Sequence, residues 1–193
     1  MRTFVLARHG QSLLNVAGVI NGDPARDRGL SAQGIEQATQ LAGQIAHLTL
    51  ELVVVSPFPR AVQTVDIALG GRAVPRVVDA DLGDVRIGEL EGGSLADYRH
   101  SKPHADRDLP FPGGESLNDA TRRYAAAFER LCDRHEATTL VVCHEIPVRY
   151  AVNAAGGSAE LDAPLHDVPN ATPYLFDEPA LRTAAERIAE LAS

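Results

Sequence analysis

Apolar and polar positions along this 193-residue chain follow two alternating patterns. Mainly apolar runs rich in branched side chains occupy 3–7, 50–55, 73–78 and 139–143. Continuous rather than alternating apolarity predicts strands buried on both faces, as in parallel sheets. A fifth candidate strand is 172–176. Between these runs the apolar period changes to that of a helix. Behind a Ser31 cap, Ile35, Ala38, Leu41, Ala42 and Ile45 line one face. Behind Ser116, with Asp119 three residues on, Leu117, Thr121, Tyr124, Phe128 and Leu131 do the same. Pro59 suits the first turn of a helix reaching 69, and Pro147 opens one reaching 154. Residues 180–191 read as a final amphipathic helix.

Strands that alternate with helices predict an α/β fold, with a mainly parallel central sheet flanked by helices on both faces. The length fits one domain spanning 1–193. One stretch breaks the pattern: 88–114 holds five glycines, three prolines, many charges and few apolar residues. Long connectors are usually functional, so this one is expected to be a short lid over a site, with at most a brief helix around 95–100.

Composition narrows the chemistry. Hydrophobic residues make up 45%, enough for a core, and the net charge is -8. So acidic a chain lacks the basic face that nucleic acid or an anionic membrane requires, although a few converging arginines can still hold a small anion. Lys102 is the only lysine, which removes the P-loop and Schiff-base classes. Cys132 and Cys143 match no metal or redox spacing and are expected to be buried thiols. No apolar stretch reaches the ~18 residues of a membrane span, and the N-terminus does not read as a leader, so the cytoplasm is the expected compartment. A homodimer would suit an enzyme of this size, though no residue argues for one.

In open α/β sheets ligands bind beyond the carboxyl ends of the strands. Arg8-His9-Gly10 follows the first predicted strand, Ser56-Pro57-Phe58-Pro59-Arg60 the second, and His144-Glu145 the fourth. Parallel strands would bring two arginines and two histidines to one edge. Arginine forks match phosphate oxygens, Gly10 lets backbone approach closely, and helix N-termini beyond add N–H donors. The pattern describes a dianion pocket built around histidine.

Arg8-His9-Gly10 with Asn15 five residues past Gly10, Leu30-Ser31 followed by Gly34, Gln37 and Ala38, Ser56 with Arg60-Ala61-Val62-Gln63-Thr64, Pro112-Gly113-Gly114-Glu115-Ser116, His144 and Asn170-Ala171 occur in that order. Together they resemble the histidine phosphatase family, also called phosphoglycerate-mutase-like. The resemblance implies that His9 attacks phosphorus in line, while Arg8, Arg60 and His144 hold the equatorial oxygens. Asn15 would bind phosphate or order the first loop. A backbone carbonyl would fix the His9 tautomer. Water would then hydrolyse the phosphohistidine, and no metal or other cofactor is required. The expected partner is a small phosphorylated substrate.

A general acid must protonate the leaving alcohol. The family register puts Asp84 where a glutamate is usual, with Glu89 and Glu91 as alternatives. Glu145 stands where the family usually has a small residue. Either its side chain faces away, leaving its N–H to the phosphate, or it turns inward, repelling a dianion or reshaping the mouth. His100 and His104 are four apart, but Pro103 between them argues against a shared metal-binding helix face. His47, His135 and His166 read as surface residues. Arg99, His100, Lys102, His104 and Arg107 make the lid locally basic, either contacting an anionic substrate or simply solvated.

Three functions remain. The first is a metal-independent phosphomonoesterase acting on small metabolites. The second is a cofactor-dependent phosphoglycerate mutase, which the short lid disfavours. The third is a catalytically silent phosphate- or phosphoprotein-binding module, supported only by the short acid at Asp84. A dinucleotide oxidoreductase fails for want of G-x-G-x-x-G after the first strand.

Overall fold

The computed structural model describes residues 2–101 and 105–192. Five strands form one sheet: β1 (Thr3–Arg8), β2 (Leu52–Val55), β3 (Arg76–Val78), β4 (Thr138–Cys143) and β5 (Pro173–Asp177), in the order β3-β2-β4-β1-β5. The first four are mutually parallel, and β5 runs antiparallel to β1. Seven α-helices accompany them among the described residues: α1 (Leu13–Val16), α2 (Ala32–Gln44), α3 (Pro59–Leu69), α4 (Leu95–Ser101), α5 (Leu117–Cys132), α6 (Glu145–Ala155) and α7 (Glu178–Leu191).

Side chains alternate across a strand, so each central strand feeds two cores. Val5, Ala7, Val53, Val55, Leu140 and Val142 pack under α2 and α3 with Leu41, Ile45, Ala61 and Val65. Phe4, Leu6, Leu52, Val54, Val141 and Cys143 face α5, α6 and α7 with Tyr124, Phe128, Val148, Leu181 and Ile188. Ser116 and Asp119 form a reciprocal capping box at the start of α5, as the spacing predicts. Both cysteines are buried free thiols. No helix among the described residues is long and apolar enough to cross a membrane.

Several expectations shift. The run at 73–78 yields only a three-residue strand, and all of it is exposed rather than buried on both faces. It is the sheet edge, paired with β2 alone. Helix α6 starts at Glu145, with His144 at its N-cap, two residues before Pro147. Pro147 then lies in the first turn, where its missing N–H leaves no bond unmade. Ile35 is 49% exposed, so the buried face of α2 runs instead through Gly34, Ala38 and Leu41. The 88–114 segment contains a 3-10 turn (Gly88–Leu90) and α4, and its ends are tied by Glu89 N–H to Pro112 O (2.8 Å) and Glu115 N–H to Arg86 O (2.9 Å). Lys102, Pro103 and His104, on which the question of a His100–His104 metal pair turned, lie outside the described residues.

The chain lays down β1, β2 and β3, then inserts β4 between β1 and β2. The carboxyl ends of β2, β4 and β1 therefore stand side by side. The ladder continues past them, with His9 N–H to Cys143 O at 2.9 Å and Ser56 N–H to Val142 O at 3.0 Å.

Leu6 is fully buried at the sheet centre, whereas Leu175 on β5 is 61% exposed. Leu6→Ala should lower unfolding free energy by about 2–5 kcal/mol, and Leu175→Ala by no more than ~0.5 kcal/mol. Urea denaturation checks both, and equal costs would contradict the assignment of the core.

Candidate active site

His9 follows β1 directly and is 3% exposed. Its Nδ1 lies 2.7 Å from the carbonyl oxygen of Gly10. A carbonyl only accepts, so Nδ1 carries the proton and Nε2 keeps its lone pair. The bend that makes this contact requires a glycine, though for a reason other than closeness to a ligand. A Cβ on Gly10 would meet Gly34 O at 2.5 Å, and one on Gly34 would meet Gln11 O at 2.1 Å. The loop after His9 thus lies backbone to backbone against the first turn of α2. Gly10 N–H donates to Thr64 Oγ1 (2.9 Å), whose hydroxyl donates to Arg60 O (2.7 Å). Asn170 Nδ2 holds His9 O at 2.7 Å.

Arg60, in the first turn of α3, is 3% exposed and reaches across the pocket. Nε donates to His9 Nε2 (3.0 Å), Nη1 to Asn21 Oδ1, and Nη2 to Asp84 Oδ2 (2.9 Å) and Asn21 O (3.2 Å). Asp27, whose side chain is fully buried, accepts from Arg60 N–H at 2.8 Å and lies 3.6 Å from Nη1. His144 is 1% exposed, and its ring centroid lies 5.2 Å from that of His9. Its Nε2 meets Ser56 Oγ at 2.8 Å, and its Nδ1 lies 3.3 Å from Asp84 Oδ2 and 3.2 Å from Arg60 Nη2. Phe58 closes this side, edge-on to His144 at 4.6 Å and beneath the Arg60 guanidinium at 4.3 Å.

Arg8 ends β1 with Nη1 bonded to Val168 O at 2.8 Å and paired with Glu145 Oε2 at 3.1 Å. Its Nε is buried with no acceptor. Glu145 therefore lies against the arginine. His9, Arg8, Arg60, His144 and Asp84 are brought together as the sequence predicts. Asn15 is not: it is exposed, and its side chain takes Ser12 N–H at 3.0 Å to complete the capping box of α1. Of its two expected roles, it fills the ordering of the first loop. Glu91 accepts from Asn21 Nδ2 and Gly22 N–H, both at 2.7 Å, which makes it a brace, and Glu89 is exposed. That leaves Asp84 as the acid within reach of the histidines. Sequence reasoning missed Asn21, Asp27 and Arg123, none of which follows a strand. Asp27 lies near the quoted Leu30-Ser31 stretch, and Gln63 of the Arg60 motif accepts from Leu30 N–H at 2.8 Å, but neither pattern signals a role for it.

Electrostatics sort the titrating groups. Burial, then Arg60, the His144 ring and Arg8, hold the His9 imidazole well below its ordinary 6.5. Burial brings His144 down to about 4, against the opposing pull of Asp84. Burial alone would raise the Asp84 carboxyl, but the His144 ring and the Arg60 guanidinium outweigh it and hold the group below the usual carboxylate range. The resting pocket is therefore a neutral nucleophile, two arginines and an ionised acid, a set suited to receiving an anion at Nε2.

The histidine phosphatase superfamily (branch 1) matches residues 4–187, and the chain belongs to it. A bifunctional protein of Mycobacterium tuberculosis, Rv2228c, is 33% identical over 79% of this chain. The chain spans 45% of that relative's length, about half. A 2,3-bisphosphoglycerate-dependent phosphoglycerate mutase of Brucella ovis is 33% identical over 81% of this chain and 82% of its own. Among solved structures, Bacillus stearothermophilus YhfR superposes with a TM-score of 0.80 at 26% identity, covering 92% and 91% of the two chains. A mycobacterial glucosyl-3-phosphoglycerate phosphatase, Rv2419c, complexed with VO3, gives 0.72 at 25% identity, covering 91% and 92%.

Because both imidazoles are depressed, they stay neutral as pH falls through 6.5, where a solvated histidine becomes charged. Nitrogen-15 NMR at pH 6 should show His9 as the neutral Nδ1–H tautomer and His144 uncharged. An imidazolium at either position at pH 6 would contradict the electrostatic reading.

Proposed function

We propose that this chain hydrolyses phosphate monoesters of small metabolites, without a metal, through a phosphohistidine on His9. The observation that carries the reading is the Nδ1–Gly10 O bond, which leaves the Nε2 lone pair facing Arg60. A phosphate dianion entering the pocket competes for Arg60, which in the resting site caps Nε2 and neutralises Asp84. As the guanidinium turns to the phosphate oxygens, Nε2 is uncovered. The arriving negative charge also raises the proton affinity of Asp84, which takes up a proton from solvent and returns one to solvent when phosphate leaves. Nε2 then attacks phosphorus, the bond to the ester oxygen breaks, and the Asp84 carboxyl gives that oxygen its proton. Arg8, Arg60 and His144 stabilise the charge on the three equatorial oxygens. In the second half the Asp84 carboxylate takes a proton from water, which attacks phosphorus. The P–N bond breaks and His9 recovers its lone pair.

The reading as a silent binding module rested on the short acid. Against it stands Asp84 Oδ2, at 2.9 Å from Arg60 and 3.3 Å from His144. Mutase chemistry is the second reading, favoured by the Brucella relative. Hydrolysis is preferred because the 88–114 segment is short for a cover that must keep water from the phosphohistidine.

The test is release of inorganic phosphate with a chelator present, across sugar phosphates, phosphoglycerates and an aryl phosphate. Release by the wild type should fall by roughly 10³-fold or more in His9→Ala. An active His9→Ala enzyme would sink the mechanism. Asp84→Asn should slow an alkyl phosphate by about 10²-fold or more, and an aryl phosphate with its good leaving group far less. Isomerisation of 3-phosphoglycerate, primed by its bisphosphate and without net phosphate release, would favour the mutase.

A further inference from the structure

Arg8 divides its guanidinium between the protein and the pocket. Nη1 is committed to Val168 O (2.8 Å) and Glu145 Oε2 (3.1 Å). Asp167 Oδ1, at 3.7 Å on a side chain 82% exposed, adds little. Nε is buried with no acceptor, as are the Nε atoms of Arg149 and Arg187, so it is a donor still open to an incoming oxygen. Glu145 is itself braced. Its second oxygen accepts from Arg149 Nη1 at 3.1 Å, and Arg149 is held by Asp162 Oδ1 (2.8 Å) and His166 O (3.1 Å). Asp162 in turn pairs with Arg107 at 2.8 Å, so a run of alternating charges leads from Arg8 to the far end of the 88–114 segment. Unlike Asp84, whose cation can turn to the substrate, Glu145 is fixed at both oxygens.

We propose that Glu145 is a positioning residue that weakens the site's hold on anions through Arg8. The proposal rests on Arg8 being a phosphate donor in the function proposed above. The carboxylate holds the guanidinium through Nη1 and draws off part of the charge that Arg8 would otherwise offer a bound phosphate. Two consequences follow. Inorganic phosphate, the product, is released more readily. Esters that carry a second anion near the phosphate, such as phosphoglycerates, bind less well than esters with an uncharged body.

Isothermal titration calorimetry with inorganic phosphate, at constant pH and salt, tests this without requiring turnover. Glu145→Gln should bind phosphate about tenfold more tightly than the wild type, because the Arg8 guanidinium no longer shares its charge with a carboxylate. The gain should vanish in the Arg8→Ala background. A folded Glu145→Gln protein with equal or weaker phosphate affinity, or a gain that survives Arg8→Ala, overturns the proposal, and Glu145→Ala serves if the amide variant does not fold. A wild type that binds no phosphate at all would instead overturn the phosphate-site reading. As a second readout, kcat/KM for 3-phosphoglycerate relative to glycerol 2-phosphate should rise in Glu145→Gln. An unchanged ratio overturns the claim on specificity.

Discussion

The bond from His9 Nδ1–H to the carbonyl of Gly10 is the constraint from which the rest of the site follows. A residue's ring can reach the next residue's carbonyl only if the backbone bends tightly after it. That bend pushes position 10 into the first turn of α2, where only glycine against glycine fits. Thr64 and Asn170 then hold the bent backbone from α3 and from the turn before β5. Thus the tautomer of one imidazole depends on contacts from three separate elements. It also sets the chemistry, because a proton on Nε2 would abolish the nucleophile.

The second constraint is charge. An arginine buried as deeply as Arg60 costs several kcal/mol unless its donors are met. Asn21, Asp84 and the His9 ring accept from it, and the buried Asp27 carboxylate lies beside it. Asn21 and Asp27 belong to the scaffold, whereas His9 and Asp84 are the groups the proposed reaction uses. An incoming phosphate would exchange one set of acceptors for another without leaving the guanidinium unpaired. The same exchange would uncover Nε2 and free Asp84 to bind a proton.

How much of this the sequence disclosed follows from what kind of signal each part leaves. The central strands were legible because both faces are buried and the apolar runs are continuous rather than alternating. The strand-end rule then located Arg8, His9, Arg60 and His144, and the family register added Asp84. The edge strand misled, since Val77 and Val78 have the composition of a core strand but no neighbour beyond them. Asn15 left two roles open, because one asparagine at that spacing suits a phosphate ligand or an N-terminal capping box, and the structure shows the capping box. Asn21 and Asp27 could not be found, because their roles depend on how the loop before α2 folds over α3. Nor could the orientation of Glu145, which is set by Arg8 at the end of β1 and by a brace reaching residues 107 and 162.

Arg123 shows why the shorter acid at position 84 need not weaken the site. Its guanidinium donates to the carbonyls of Asp81 (2.7 Å), Gly83 (2.8 Å) and Asp84 (2.7 Å), and it pairs with the buried Glu115. Glu115 also takes Arg86 N–H at 2.9 Å, so the backbone is anchored on both sides of Asp84. A glutamate gains reach from an extra methylene, at the cost of another torsion to fix. Here the loop itself is held close, and the aspartate carboxylate arrives within 3.3 Å of His144 by backbone placement. Since a catalytic group misplaced by ~1 Å can cost about 10²-fold, such a tether would give Asp84, in the proposed reaction, the placement that an extra methylene gives a glutamate. The glutamate of the Pro112-Gly113-Gly114-Glu115-Ser116 motif would thereby be tied to that reaction: it touches none of its reacting atoms, yet the position of Asp84 depends on it.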